Sequence, residues 1–368
     1  MIYYGFAVIA TIFAYLAVHG TVGGRLNENE KYRSKAVYHI CILLSFLCYF
    51  IPSAIRYGIG QDYFYTYQPM FNYIAKGATS IYTNQVIKYS EIGFTFLNKA
   101  IAHFTSDSQW LFVVTAFICL ALAYKCIDMY SINIPASVFM MVLGSYYMGS
   151  YSLIRQSIAI VLFAYSLQYV KERNLIKYLI CILLATLIHT ASLVYIPFYF
   201  IGNMRMKKKY YAMSTVGIIA GLNILSSLVS KIISLTRFSN RIHFGSEYNI
   251  LLSIVVTTVF IIALLGYSND MHDSDESDGM YRIFLNVLFV ATCLIGISPF
   301  VDTSDRIIFG YFYTNFITIP YIMKKGHFGK YKNVFLIILI IALIALWGYE
   351  HLYYDQFSVL PYRTIFNK

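Results

Sequence analysis

Apolar runs of about 15 to 25 residues recur from residue 3 to residue 350, and they limit the fold more than any other feature of the chain. A helix of about 20 such residues matches a hydrocarbon core of about 30 Å, whereas a soluble domain of this size has no room to bury so many. Inside that core every backbone N–H and C=O needs a partner within the protein, which leaves helices or a closed barrel. Continuous apolar runs of this length, instead of short alternating ones, select helices. The composition agrees, with 59% hydrophobic residues, 12% charged residues and a mean hydropathy of +0.62 over 368 residues. The expectation is an all-α polytopic transmembrane bundle of about 12 passes (11 to 13), a single integral membrane domain over 1–368. No basic segment precedes the first run and no small-residue cleavage site follows it, so it reads as a retained helix.

The formal net charge is +11, which in a soluble protein points to nucleic acid. Here the basic residues sit in short clusters between apolar runs, as expected of cytoplasmic loops, so nucleic acid is excluded as a partner. The clusters are Arg25, Lys31, Arg33 and Lys35; Lys171, Arg173 and Lys177; Arg205, Lys207, Lys208 and Lys209; and Lys324, Lys325, Lys330 and Lys332. They fall on one side only if segment 174–203 crosses twice. Thirty residues of helix span about 45 Å, too long for one pass, and a reversal near His189 and Thr190 resolves both problems. Both halves are then short, and short broken segments belong beside protein or a water-filled cavity.

With the clusters cytoplasmic, Arg56, Asp62, Arg155, His189, Arg237, Arg241, Asp305 and Arg306 all fall at the outer ends of different helices. Residues 54–107 form a long extracytoplasmic loop, in which Ile92, Phe96, Leu97, Ala100 and Ile101 are spaced as on an interfacial amphipathic helix. The acidic stretch 269–278 is cytoplasmic, and it lacks the glycine and terminal glutamate of a calcium loop. The six cysteines lie in or beside apolar runs without metal-ligand or disulfide spacing and read as core thiols. Tyrosine, with 36 copies beside 28 phenylalanines, is assigned to interfacial belts and in part to sugar-stacking platforms.

Ionisable groups at membrane depth are costly, about 2.5 kcal/mol or more for arginine near a helix centre, and so mark function by default. In the segment from Pro52 to Tyr67, Gly58 and Gly60 allow a compact turn that carries Arg56, Asp62 and Tyr63. Arg155 and Gln156 open a further helix in an unusually polar entry, His189 stands at the reversal, and Arg306 follows Asp305 at a helix start. Arg241 and His243 form a weaker set. Each arginine also has a plainer reading, as a side chain snorkelling to lipid headgroups or as half of a local ion pair. Several outward-facing arginines together suit an anionic ligand, and the guanidinium fork suits phosphate, here on a polyprenyl diphosphate carrying sugar.

Three motifs in order, R-Y-G-I-G-Q-D-Y at Arg56 to Tyr63, L-I-R-Q-S-I-A at Leu153 to Ala159 and K-Y-L-I-C-I-L-L-A-T-L-I-H-T-A-S-L at Lys177 to Leu193, resemble the EpsG-type group of Wzy-like polysaccharide polymerases. Beyond His189 only Arg306 and the hydropathy agree. The resemblance implies a multipass enzyme of the bacterial inner membrane whose active site faces the exterior. It joins undecaprenyl-diphosphate-linked oligosaccharide units, with a chain-length regulator and a flippase as partners and no cofactor. Arg56, Arg155 and Arg306 then stabilise the leaving diphosphate, Gly58, Gly60, Tyr63, Gln156 and Arg241 contribute to substrate binding, and Asp62 or His189 serves as general base. The absence of metal-ligand spacing leaves the charge work to arginine. A lipid-linked glycan ligase, a membrane acyltransferase and a flippase or transporter of the same unit stand as alternatives.

Overall fold

The computed structural model describes residues 2–19, 28–77, 91–225, 250–268, 276–298 and 304–367, together with Leu228, Lys231 and Leu235; side chains are described from Lys35 and from Asp278 in the second and fifth of these segments. Arg25, Arg237, Arg241, His243, residues 78–90 of the long loop and most of the acidic stretch 269–278 lie outside them. Among the described residues the chain forms helices and no strand, with one isolated antiparallel bridge between Arg56 and Thr364. Five helical segments, Ile2–His19, Lys35–Ile55, Gln109–Tyr130, Asp278–Ile297 and Gly329–Tyr353, are long and apolar enough to cross a membrane. Ile92–Ala102, Ile134–Leu143, Leu175–Ile188 and Ile250–Gly266 are shorter apolar helices. The chain is a helical membrane protein, but these helices do not support a count of twelve uninterrupted passes.

The physical reason is that several apolar runs are broken. In the run 133–149, Asn133 caps a helix by accepting from the Ala136 N–H at 3.3 Å, with Pro135 in the first turn, and that helix stops at Leu143. Ser145 takes a left-handed φ of 62°, and the chain restarts as Tyr146–Ser152 and again as Ile154–Lys171. The run 306–323 is likewise split, into Ser304–Phe312 and Asn315–Lys325. The two breaks face each other: Asn315 Nδ2 donates to Gly144 O at 2.9 Å, and a Cβ on Gly144 would stand 2.0 Å from Asn315 Oδ1. Freed backbone groups at one interruption thus find partners at the other, as an apolar surrounding requires.

Segment 174–203 also reverses. Asn174 caps Leu175–Ile188 by accepting from the Lys177 N–H at 3.1 Å, and His189 breaks the helix with an extended backbone at φ −148°. The return runs as a 3-10 turn, Thr190–Tyr195, followed by Phe198–Gly202. Tyr178 hydroxyl donates to Tyr195 O at 2.6 Å, so the two arms lie side by side, and Asn203 Nδ2 donates to Val170 O at 3.0 Å, which ties the end of the return to the end of the Ile154–Lys171 helix. Lys208 Nζ donates to Leu265 O at 2.9 Å, and the His327 N–H reaches Gly266 O at 2.8 Å. The basic clusters near residues 171–177, 205–209 and 324–332 therefore share one end of the bundle. Arg155 begins the Ile154–Lys171 helix and Lys171 ends it, which puts the arginine about 25 Å away, at the far end.

Tyrosines such as Tyr65, Tyr331 and Tyr353 are exposed, but many others lie deep in the core. All but one of the largest fully buried side chains are tyrosines, the exception being Arg56. Their hydroxyls donate to backbone carbonyls of neighbouring segments. Tyr311 donates to Val194 O at 2.7 Å, Tyr195 to Gly310 O at 3.0 Å and Tyr49 to Val138 O at 2.8 Å. Each such bond contributes about 0.5–1.5 kcal/mol, and leaving the buried carbonyl unpaired costs more than that. Phenylalanine has the same bulk but cannot do this.

The tail from Tyr354 to Asn367 folds back over the far end. Tyr3 hydroxyl donates to Val359 O at 2.7 Å, Ser152 Oγ to Phe357 O at 2.7 Å and the Gly60 N–H to Ser358 O at 3.0 Å. Gln356 Nε2 donates to Asp305 Oδ2 at 3.0 Å, so one short strap ties together helices from both ends of the sequence. Within the long loop, Ile92–Ala102 buries Phe94, Asn98 and Ile101, while Ile92 and Phe96 remain exposed. Ile101, expected on the outward stripe, faces inward.

Gly60 carries φ +105°, and a Cβ there would lie 2.4 Å from Tyr151 O; Gly77 carries φ +80° with nothing within 4 Å. Gly77→Ala should cost only backbone strain, of order 1–3 kcal/mol, whereas Gly60→Ala adds a clash with backbone. Thermal melts of the two variants in detergent should therefore differ by several degrees, with Gly60→Ala the lower. Equal melts would contradict the tight packing of the turn on Tyr151.

Candidate functional site

Of the residues singled out in the sequence, Arg56, Asp62, Arg155, Gln156, His189 and Arg306 lie at the far end, around the segment Tyr146–Arg155. Arg56 ends the Glu28–Ile55 helix, and its backbone pairs with Thr364 in the tail. The residue is 2% exposed, and its guanidinium lies 4.2 Å from the Tyr151 ring centroid and 5.3 Å from that of Phe112. Among the described residues no carboxylate pairs with it, and Nε has no hydrogen-bond partner. The ring faces supply the compensation, through cation–π attraction that strengthens on desolvation. Gln109 holds the turn by donating Nε2 to Ala54 O at 2.6 Å and to Arg56 O at 3.0 Å. Tyr63 is buried, stacked on Phe112 at 4.0 Å and donating to Gln109 Oε1 at 3.0 Å. Asp62 is half-buried and accepts from Thr66 Oγ1 at 3.3 Å. Gly58 and Gly60 shape the turn itself.

Arg155, at the start of its helix, forms a salt bridge from Nη1 to Glu91 Oε2. Its guanidinium also lies 5.9 Å from the Tyr67 and Phe94 ring centroids. The other oxygen, Glu91 Oε1, faces His189 Nδ1 at 3.4 Å and accepts from the Thr190 N–H at 3.4 Å. Gly93 lets this segment approach the hairpin tip, since a Cβ there would lie 2.8 Å from Leu187 O. One carboxylate therefore joins the start of the Ile154–Lys171 helix to the hairpin tip. Gln156, next to Arg155 and buried, donates Nε2 to Arg306 O. Arg306 itself is exposed, and its N–H is bound by Asp305 Oδ1 at 2.9 Å.

Arg155, Gln156, His189 and Arg306 thus belong to one assembly through direct contacts, and the Arg56 turn adjoins it through Tyr151 and Ser152, whose Oγ accepts from the Gln61 N–H at 3.0 Å. Arg241 lies outside the described residues. Among those described, no group of three or more His, Cys, Asp and Glu is gathered as for a metal ion. Sequence reading missed Glu91, Gln109 and Gln356. A signal for Glu91 was present: it is the only acidic residue between Asp62 and Asp107, in an otherwise apolar and basic stretch.

Burial works to raise the Glu91 carboxyl, but the His189 imidazole and the Arg155 guanidinium outweigh it and hold the group down at about 2. A depressed carboxyl contributes stability that is complete above its unfolded value, about 4.3, and is lost as pH falls toward 2. Acidification from pH 6 to pH 3 should lower the melting temperature of the wild type more than that of Glu91→Gln, which has no such charge to lose. Parallel losses would show that the pairing does not hold the far end together.

The family model described as the EpsG family matches residues 39–364, a range that contains every one of these far-end groups. No curated protein and no solved structure matches the chain. With the match covering most of its length, the chain belongs to the EpsG family.

Proposed function

We propose that the protein is a polysaccharide polymerase that joins undecaprenyl-diphosphate-linked oligosaccharide units on the outer face of the bacterial plasma membrane. Family membership supports a polysaccharide-polymerase function in general. The observation that carries the finer reading is the gathering of Arg155, His189 and Arg306, far apart in sequence, at the end opposite three lysine- and arginine-rich clusters. With those clusters cytoplasmic, the assembly faces outward, the 174–203 hairpin dips in from the inner side with His189 at its tip, and the exposed stripe of Ile92–Ala102 rests in the interface.

In this reading the acceptor sugar hydroxyl attacks the anomeric carbon of the growing glycan. The bond from that carbon to the diphosphate oxygen breaks, undecaprenyl diphosphate leaves, and the hydroxyl proton passes to a base. Negative charge on the diphosphate grows as the bond breaks, so fixed cations there lower the barrier more than they strengthen ground-state binding. Arg306, exposed, and Arg155, partly exposed, take the diphosphate. Arg56, sealed beneath Tyr151, contributes its field from behind the turn. His189 takes the proton in preference to Asp62, because it shares the Glu91 carboxylate with Arg155 and retains a quarter of its side-chain exposure.

A strain lacking the gene should carry surface glycan of a single repeat unit, and the wild-type copy should restore the ladder. Arg306→Lys keeps the charge but loses the fork, and should reduce polymer by about tenfold or more. Glycan absent from its acceptor while polymer persists on the carrier lipid would identify a ligase. An unchanged ladder in the deletion strain would overturn the reading.

A further inference from the structure

Glu91 has no role in the chemistry set out above, yet it touches both Arg155 and the hairpin tip. A carboxylate as ionised as this one accepts hydrogen bonds and does not donate them. His189 Nδ1 is buried 3.4 Å from this carboxylate and has no hydrogen-bond partner among the described residues, so the negative charge beside it favours hydrogen on Nδ1 when the ring is neutral. The lone pair is left on Nε2, for which there is no partner among the described residues. His189 Nδ1 is buried, whereas the side chain as a whole is 25% exposed, so the inner edge meets Glu91 and the accessible part of the ring points elsewhere. The Thr190 N–H on the same oxygen fixes the backbone that follows the ring, and Arg155 on the other oxygen fixes the carboxylate plane.

We propose that Glu91 is a positioning residue that holds His189 in the Nδ1–H tautomer, with Nε2 turned toward the acceptor hydroxyl, and that Arg155 anchors Glu91 in this orientation. This rests on His189 being the base. The arrangement is an acid–imidazole–hydroxyl relay in which the proton leaves the attacking hydroxyl for Nε2, and the imidazolium so formed is stabilised by Glu91 while the acid keeps its own charge. The charged and titratable groups that face this pair among the described residues are Arg155, from the Ile154–Lys171 helix, and Tyr67, from the turn that begins after Asp62.

The experiment uses full-length protein in nanodiscs, with lipid-linked repeat units extracted from a strain lacking the gene as both donor and acceptor. Turnover is followed from pH 5 to pH 9. Wild-type turnover should rise with pH through one acid limb. Glu91→Gln, which keeps the size and a hydrogen-bond acceptor for Arg155 but removes the charge, should move that limb to lower pH by roughly one unit and cut plateau kcat by about 10- to 100-fold, with KM changed less than about twofold. In a His189→Ala background the same change should cost nothing further, because the two residues act as a unit. If wild-type protein makes no polymer, the polymerase reading itself fails. If it makes polymer but Glu91→Gln leaves the limb in place, or still costs tenfold without His189, then Glu91 serves only to hold Arg155 or the fold, and the inference is overturned. Melting curves of each variant at pH 7 separate loss of protein from loss of rate.

Discussion

A single carboxylate, Glu91, stands between the guanidinium of Arg155 and the imidazole of His189, and the far end of the bundle depends on that contact. Without it a cation and a polar ring would meet at the junction of three chain segments with no opposing charge from Glu91 to offset their loss of water. With it, the start of one helix and the tip of a hairpin share one electrostatic centre. Arg306 joins through Gln156, and the tail joins Arg306 through Gln356 and Asp305. The arginine left without such a partner, Arg56, is instead enclosed by aromatic faces. The two solutions leave Arg306 exposed to a ligand and Arg56 enclosed behind the surface.

The second constraint is that a membrane bundle tolerates broken helices only where the freed backbone finds partners. Here the breaks at Gly144–Ser145, at Tyr313–Thr314 and at His189 lie against one another or against tyrosine hydroxyls. Ser145, at the first break, also donates to the fully buried Glu350 at 2.6 Å, which ties in the end of the Lys332–Gly348 helix. The breaks at Gly144–Ser145 and Tyr313–Thr314 are buried in the protein interior, and the break at His189 is partly exposed. The abundance of tyrosine follows from the same need.

Much of this was legible from residue order. Helical membrane architecture follows from the apolar runs, and the reversal at His189 from the length of segment 174–203 together with the sides on which lysine and arginine fall. Arg155, Gln156, His189 and Arg306 stood out because a polar group is costly where each of them lies. The number of uninterrupted passes was not legible, because hydropathy sums over a break such as Gly144–Ser145 without registering it. Glu91 was passed over for a related reason: it sits in a loop, where a carboxylate costs nothing until a distant arginine and histidine are packed against it. The tail was invisible in another way, since its grip on the Arg56 turn runs mainly through backbone groups that every residue carries.

The most direct test of the account is the position of the carrier lipid's diphosphate in a cryo-electron microscopy map of the protein with undecaprenyl diphosphate. The account predicts density for the diphosphate within hydrogen-bonding reach of Arg306 or Arg155, on the side where His189 is exposed, at the end opposite Lys208 and Lys324. A diphosphate held instead among the lysines of that other end, with the far-end arginines unoccupied, would contradict it.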